Sequence, residues 1–168
     1  SAIPCTCPPM KLLAFETATE ACSVALYLDG EVRERFEVAP RRHAELALPM
    51  AQALLDEAGI ARAQLDAIAV GRGPGAFTGV RLAIALAQGI ALALDRPVVP
   101  VSTLAVLAAG APVVGPARIL ASIDARMGEV YAGAFVRDGA ALVALDAERV
   151  LAPEAVTLPA LGPAGPWQ

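Results

Sequence analysis

The stretch KLLAFETATEACSVALYLDGEVRERFEV, residues 11–38, decides how the chain is read. Its first run, KLLAFET at 11–17, is apolar and strand-like, and a second run at 22–28 follows a short turn. Asp29-Gly30 then separates that run from residues 31–38, where Val32, Arg33, Glu34, Arg35 and Phe36 alternate in character. Asp-Gly between two such runs is a strong sign of a tight hairpin, because both residues tolerate positive φ. The spacing predicts three antiparallel strands in a meander.

Beyond the meander, helical spacing begins near Arg42 and stops at Gly59, and Pro49 is expected to kink that helix or mark a second start. Residues 65–70 read as a short buried strand, closed by the Gly-rich loop GRGPGAFTG at 71–79, from which a long helix runs to about Leu94. Residues 97–101 form the next strand, and Ser102-Thr103 can cap a helix over 104–109. Three strands followed by helix–strand alternation predict an α/β fold: a mixed sheet with helices on its faces, as in ribonuclease-H-like and actin-like ATPase domains. A composition break at 110–116, rich in Gly, Pro and Val, places the expected boundary. An N-terminal domain would cover residues 10–109, and a second, smaller and incomplete domain residues 110–168. In the latter, 118–124, 129–136 and 141–145 read as strands with a turn at Asp138-Gly139. Residues 1–9, Pro- and Cys-rich ahead of Met10, read as a leader or cloning remnant.

Composition excludes several classes. A chain of 168 residues buries a sizeable core without disulfide or metal staples. The hydrophobic share of 57% is inflated by 38 alanines, and what remains is ordinary for a globular protein. The net charge of -4 argues against autonomous binding to nucleic acid or anionic membrane. The longest apolar stretch, residues 82–94, contains Gln88 and is too short to span a bilayer. Cys5, Cys7 and Cys22 with the single histidine, His43, make no persuasive zinc site and read as free thiols of a cytoplasmic protein.

Two places could hold an anion or nucleotide. Strand, Gly-rich turn and helix start in succession converge free N–H groups and the helix dipole, so Gly73, Gly75 and Thr78 are candidates. No Lys-Ser/Thr follows the last glycine, which excludes a P-loop, and Pro74 spoils a dinucleotide fingerprint. Glu16 and Thr17, with Thr19, stand at the first strand turn, where actin-like ATPases place an acid and hydroxyls toward phosphate and magnesium. Asp124, Arg126 and Glu129 read chiefly as a local ion-pair group, and His43 as a plain surface residue on the first helical turn.

The two long helices carry more apolar surface than one sheet needs. In the first, Leu46, Met50 and Leu54 form one stripe, and Leu48 and Leu55 with Ala44 and Ala51 a second. In the second, Leu82, Leu86, Ile90 and Leu94 share a face, while Ile84 and Leu92 point elsewhere. Ala83, Ala87, Gly89 and Ala91 would let another helix approach closely. A surplus stripe must be buried by something else, which favours a protein–protein interface.

The segments LLAFETATEACSVALYLDG, GRGPGAFTGVRLAIALAQGIALAL, PVVPVSTL and DARMGEVYAGAF closely resemble the TsaB family. Its members are dimerisation subunits of the bacterial machinery that makes threonylcarbamoyladenosine beside the tRNA anticodon. The resemblance implies the actin-like ATPase fold and kinship with the catalytic subunit TsaD. It also implies pairing with TsaD and TsaE, a homodimer when TsaD is absent, and contact with tRNA only through the complex. TsaD-like proteins carry a metal-binding His-x-x-x-His that falls here near Thr103 and Leu107, neither of which replaces imidazole. The implied role is a non-catalytic scaffold that needs no cofactor, with weak ADP or ATP binding left open. Family members usually have Asp where Glu16 stands, the catalytic relatives carry Glu at that turn, and family members continue well past residue 168. The expected contacts are Leu48, Leu55, Ile84 and Leu92. The alternatives are an ATPase using Glu16 and the Gly-rich loop, a metalloprotease, and a plain homodimeric module; for a protease the chain supplies neither His-Glu-x-x-His nor a nucleophile with a base.

Overall fold

The computed structural model describes residues 9–157. The leader expected at 1–9, apart from Pro9, the Cys5–Cys7 pair, and the Pro/Gly-rich end at 158–168 lie outside the described residues. The chain divides into two compact units, Ser1–Arg72 with Ala76–Pro100, and Gly73–Gly75 with Val101–Gln168.

The first unit opens with the expected meander: β1 (Lys11–Glu16), β2 (Ala21–Leu28) and β3 (Glu31–Val38). Leu28 pairs with Glu31 across Asp29 and Gly30, whose φ values of 51° and 101° give the two-residue turn that matches strand twist. α1 (His43–Ala58), β4 (Ala67–Gly71), α2 (Phe77–Leu94) and β5 (Val98–Val101) follow, and the sheet order is β3-β2-β1-β4-β5. β1 is antiparallel to β2 and parallel to β4, which makes the sheet mixed, as expected for the actin-like and ribonuclease-H-like class. Leu13, Phe15, Val24, Leu26, Ile68 and Val70 form one core with buried residues of both helices.

Each helix differs in detail from its sequence reading. α1 is one uninterrupted element through Pro49, which is exposed on the solvent side of the helix. Gly59 ends it in the left-handed conformation at φ 66°, as expected. The buried face of α1 is Ala47, Ala51, Leu54 and Leu55, which cuts across both expected stripes. α2 buries Gly79, Ala83, Ala87 and Ala91, not its leucines. Alanines seat the helix closely on β4 and β1, and Leu82, Leu86, Ile90 and Leu94 lie half-buried along its flanks. The small residues expected to admit a second helix are, at Ala83, Ala87 and Ala91, those that admit the sheet. At 18 residues and mean hydropathy 1.7, α2 is long and apolar enough to cross a membrane. One side of it packs on the sheet of the first unit.

The second unit contains α3 (Thr103–Ala109), β6 (Ala117–Arg126), β7 (Glu129–Asp138), β8 (Ala141–Ala144) and β9 (Arg149–Leu151). The Ser102 hydroxyl accepts from the N–H groups of Leu104 and Ala105, capping α3 as expected. β6, β7 and β8 are consecutive antiparallel neighbours, and β9, absent from the sequence reading, pairs β7 at Val130, Tyr131 and Ala132. The division falls at Val101 rather than at residue 110. Leu104 and Ala108 of α3 pack with Ala117, Ile119, Ala121 and Phe135, and the Arg137 guanidinium donates to the carbonyls of Ala109 and Ala111 at 2.9 Å. These contacts bind α3 and the segment after it to the second sheet.

Candidate functional site

The turn after β1 is built to hold α2 in place. The Thr17 hydroxyl donates to the Gly79 carbonyl at 2.7 Å, and Thr17 is fully buried. Ala76 N–H donates to the Ala18 carbonyl at 2.7 Å. A Cβ on Gly79 would lie 1.9 Å from the Thr17 carbonyl oxygen, so only glycine permits this approach of turn and helix. Thr17 is therefore a clamp within the chain, and its expected role toward a phosphate is corrected. Glu16 accepts from Ala18 N–H at 2.8 Å, and its carboxyl group fills the space that a Cβ on Gly71 would need. Thr78 is exposed on the first turn of α2, which starts at Ala76 with no side-chain cap and no acid in its first turn. Gly73, at φ 89°, accepts from Thr103 N–H at 2.9 Å, and with Gly75 it belongs to the second unit.

The other expected groups have local partners. The His43 ring Nε2 lies 3.0 Å from the Thr19 carbonyl, tying the start of α1 to the β1–β2 turn. Asp124 accepts from Arg126 N–H at 2.8 Å, so the contact expected as an ion pair is a backbone turn contact. Arg126 and Glu129 close the β6–β7 hairpin. Cys22 is buried, and burial together with the charge of Glu37 pushes its thiol pKa up. Among the described residues, no three His, Cys, Asp or Glu side chains converge as a metal site. Thr103 is buried and Leu107 half-exposed on α3.

The outward faces of α1 and α2 are the larger feature. Leu92 is 86% exposed and Leu48 48%, and Ile84 is half-buried at the flank. Leu55, expected among the contact residues, is 2% exposed, because α1 turns it onto the sheet with Leu54. That expectation is corrected. The sequence reading missed Phe77, 69% exposed at the start of α2, with the Arg81 guanidinium 3.3 Å above its ring. The signal was an aromatic and an arginine at i and i+4. The exposed side of α2 carries Phe77, Leu92, Ala85 and Ala93 together with the polar Thr78, Arg81 and Gln88, so its large apolar side chains stand among polar ones.

Comparison with known proteins places this geometry. The family described as TsaD, tRNA N6-adenosine threonylcarbamoyltransferase, matches residues 36–166. A solved structure, YeaZ from Pseudomonas aeruginosa, superposes with a TM-score of 0.88 at 52% identity over 94% of this chain and 74% of that one. The Escherichia coli protein named tRNA threonylcarbamoyladenosine biosynthesis protein TsaB is 50% identical over 88% of this chain and 64% of its own length. The chain belongs to the TsaB branch of the TsaD family. A Haemophilus influenzae TsaB is 47% identical over 77% of this chain and 55% of its own. The chain thus spans between half and two thirds of the length of these TsaB relatives.

Proposed function

We propose that this TsaB-family chain is a non-catalytic subunit for threonylcarbamoyl transfer to adenosine 37 of tRNA. It pairs with TsaD through the outer faces of α1 and α2, joins TsaE, and pairs with itself when TsaD is absent. The observation that carries the reading is the exposure of Leu48 on α1 and Leu92 on α2, with Ile84 half-buried at the flank. The relatives' names support involvement in tRNA threonylcarbamoyladenosine synthesis. Thr103 and Leu107, near which the resemblance places the imidazole ligands of TsaD-like proteins, support a scaffold role. The negative charge supports holding tRNA chiefly through partners.

Light scattering on the chain alone and mixed with TsaD of the same organism tests the pairing. The expected result is a dimer that exchanges into a one-to-one heterodimer. Leu48→Arg and Leu92→Arg should each weaken association at least about tenfold, since a buried unpaired charge is costly, while leaving circular dichroism unchanged. Unchanged association in both variants removes this face as the interface. The uncapped start of α2 supports a second reading, weak ADP or ATP binding beside Thr78. Calorimetry with ADP and magnesium checks it, and no heat at millimolar ligand ends it.

A further inference from the structure

We infer that the free edge of β3 is a contact between two copies of this chain, paired antiparallel with Phe36 on the two-fold axis. The contact uses neither long helix and is independent of the pairing proposed above.

β3 stands at the end of the sheet order, so among the described residues one side of its backbone has no strand beside it. It keeps an unbroken eight-residue register with β2, with neither the bulge nor the proline that often blunts an edge. Its odd-numbered residues bond to β2: Leu28 and Glu31 flank the two-residue turn as a hydrogen-bonded pair, and Ala39 N–H donates to the Glu20 carbonyl. The N–H and C=O groups of Val32, Glu34, Phe36 and Val38 therefore point outward. Their side chains lie on the face opposite α1, since Arg35 pairs with Glu57 of α1 on the other. Val32, Phe36 and Val38 are 64%, 61% and 63% exposed. One exposed apolar residue is ordinary, but three along an unpaired edge form a template for another strand.

Charge complementarity names a second copy as the occupant. Two identical edges related by a two-fold axis pair antiparallel, and their hydrogen-bonded pairs must come from the outward-pointing set, which places the axis on a single residue. On Arg33, Arg35 or Glu37 the axis sets a charge against its own copy. On Glu34 it opposes Glu34 to Glu34, Arg33 to Arg35 and Glu31 to Glu37, which are all like charges. On Val32 or Val38 no more than three strand residues of each copy meet. On Phe36 five meet: Arg35 faces Glu37 twice, Glu34 faces Val38, and the two Phe36 rings meet at the centre. Arg35 already pairs with Glu57, and Glu37 with Arg42, so each new pair extends a row of alternating charge. These charges are partly exposed and select the register, while backbone bonds and apolar side chains hold the contact.

The experiment uses the whole chain carrying Leu92→Arg, to weaken self-pairing through the helices, and follows sedimentation over a range of concentrations. A concentration-dependent dimer is expected. Adding Arg35→Glu or Glu37→Arg should each weaken it about tenfold, because each sets like charges across the axis. An equimolar mixture of these two variants should restore the dimer, since every Arg then faces a Glu, whereas damage to the fold is not repaired by mixing. Phe36→Lys leaves the ion pairs to Glu57 and Arg42 in place, sets two lysines on the axis, and should abolish the dimer with circular dichroism unchanged. A monomer at every concentration overturns the contact. A dimer that survives Phe36→Lys places the second copy elsewhere and overturns it equally. If the two charge variants dissociate and mixing does not rescue them, the register fails and the inference with it.

Discussion

Replacing Gly79 with alanine would set a Cβ 1.9 Å from the Thr17 carbonyl oxygen, backbone against backbone, where no flexible side chain can yield. Gly79→Ala should therefore cost about 3 kcal/mol in urea unfolding, at the upper end of overpacking effects. The same turn explains Thr17. Its hydroxyl was legible as a turn group, and only the fold shows that it reaches the Gly79 carbonyl. Cys22 makes a second prediction at this scale. Burial, then Glu37, raises its thiol pKa above that of the unfolded chain, so the folded state holds the proton more tightly. The stability this contributes is complete below the unfolded thiol value, about 8.5, and is lost as pH rises through the folded one. Urea midpoints taken from pH 7 to 10 should fall more steeply for the parent than for Cys22→Ala.

At the scale of elements, α1 tolerates a proline that its spacing argued against, because Pro49 sits on the solvent side. Restoring the missing N–H should help. Pro49→Ala is expected to raise stability by about 2 kcal/mol, less than the full helix-interior penalty because the unfolded chain also gains freedom. Thermal and urea unfolding check it. α3 depends on its cap, where the Ser102 hydroxyl accepts from two backbone N–H groups and also meets the Glu148 carboxylate. Ser102→Ala should cost about 1 kcal/mol and show first as faster amide exchange at Leu104 and Ala105. The meander, the Gly59 stop and this cap were legible because turn and cap chemistry is local. The facing of the helices was not, since each carried several apolar candidates and alanine counts for little in a hydrophobic pattern. α2 shows the consequence, with its alanines against the sheet and Leu92 in solvent.

For the whole molecule, an uncovered apolar face makes stability depend on company. A partner that binds only the folded chain raises its apparent stability by about 2.7 kcal/mol at a free concentration one hundred times Kd. On the pairing proposed above, adding TsaD should raise the thermal midpoint of the parent in a concentration-dependent way and raise that of Leu92→Arg by less at the same concentration. The division into units also operates at this scale. The Gly- and Pro-rich segment at 110–116 marks a composition break, yet Arg137 grips carbonyls along it and α3 packs into the second sheet. Composition reports where a chain can bend, and packing decides which side keeps the helix.

By itself the sequence determined the order of strands and helices, the mixed α/β class, the hairpin at Asp29-Gly30, the cap at Ser102 and the family. Each rests on interactions between near neighbours or on motifs that can be read in line. Only the tertiary structure decided that Leu55 is core and Leu92 is surface, that Thr17 is a clamp, and that Gly79 must be glycine for the helix to approach it. Those facts depend on which atoms, far apart in sequence, come within a few ångströms, and a one-dimensional pattern does not carry that distance.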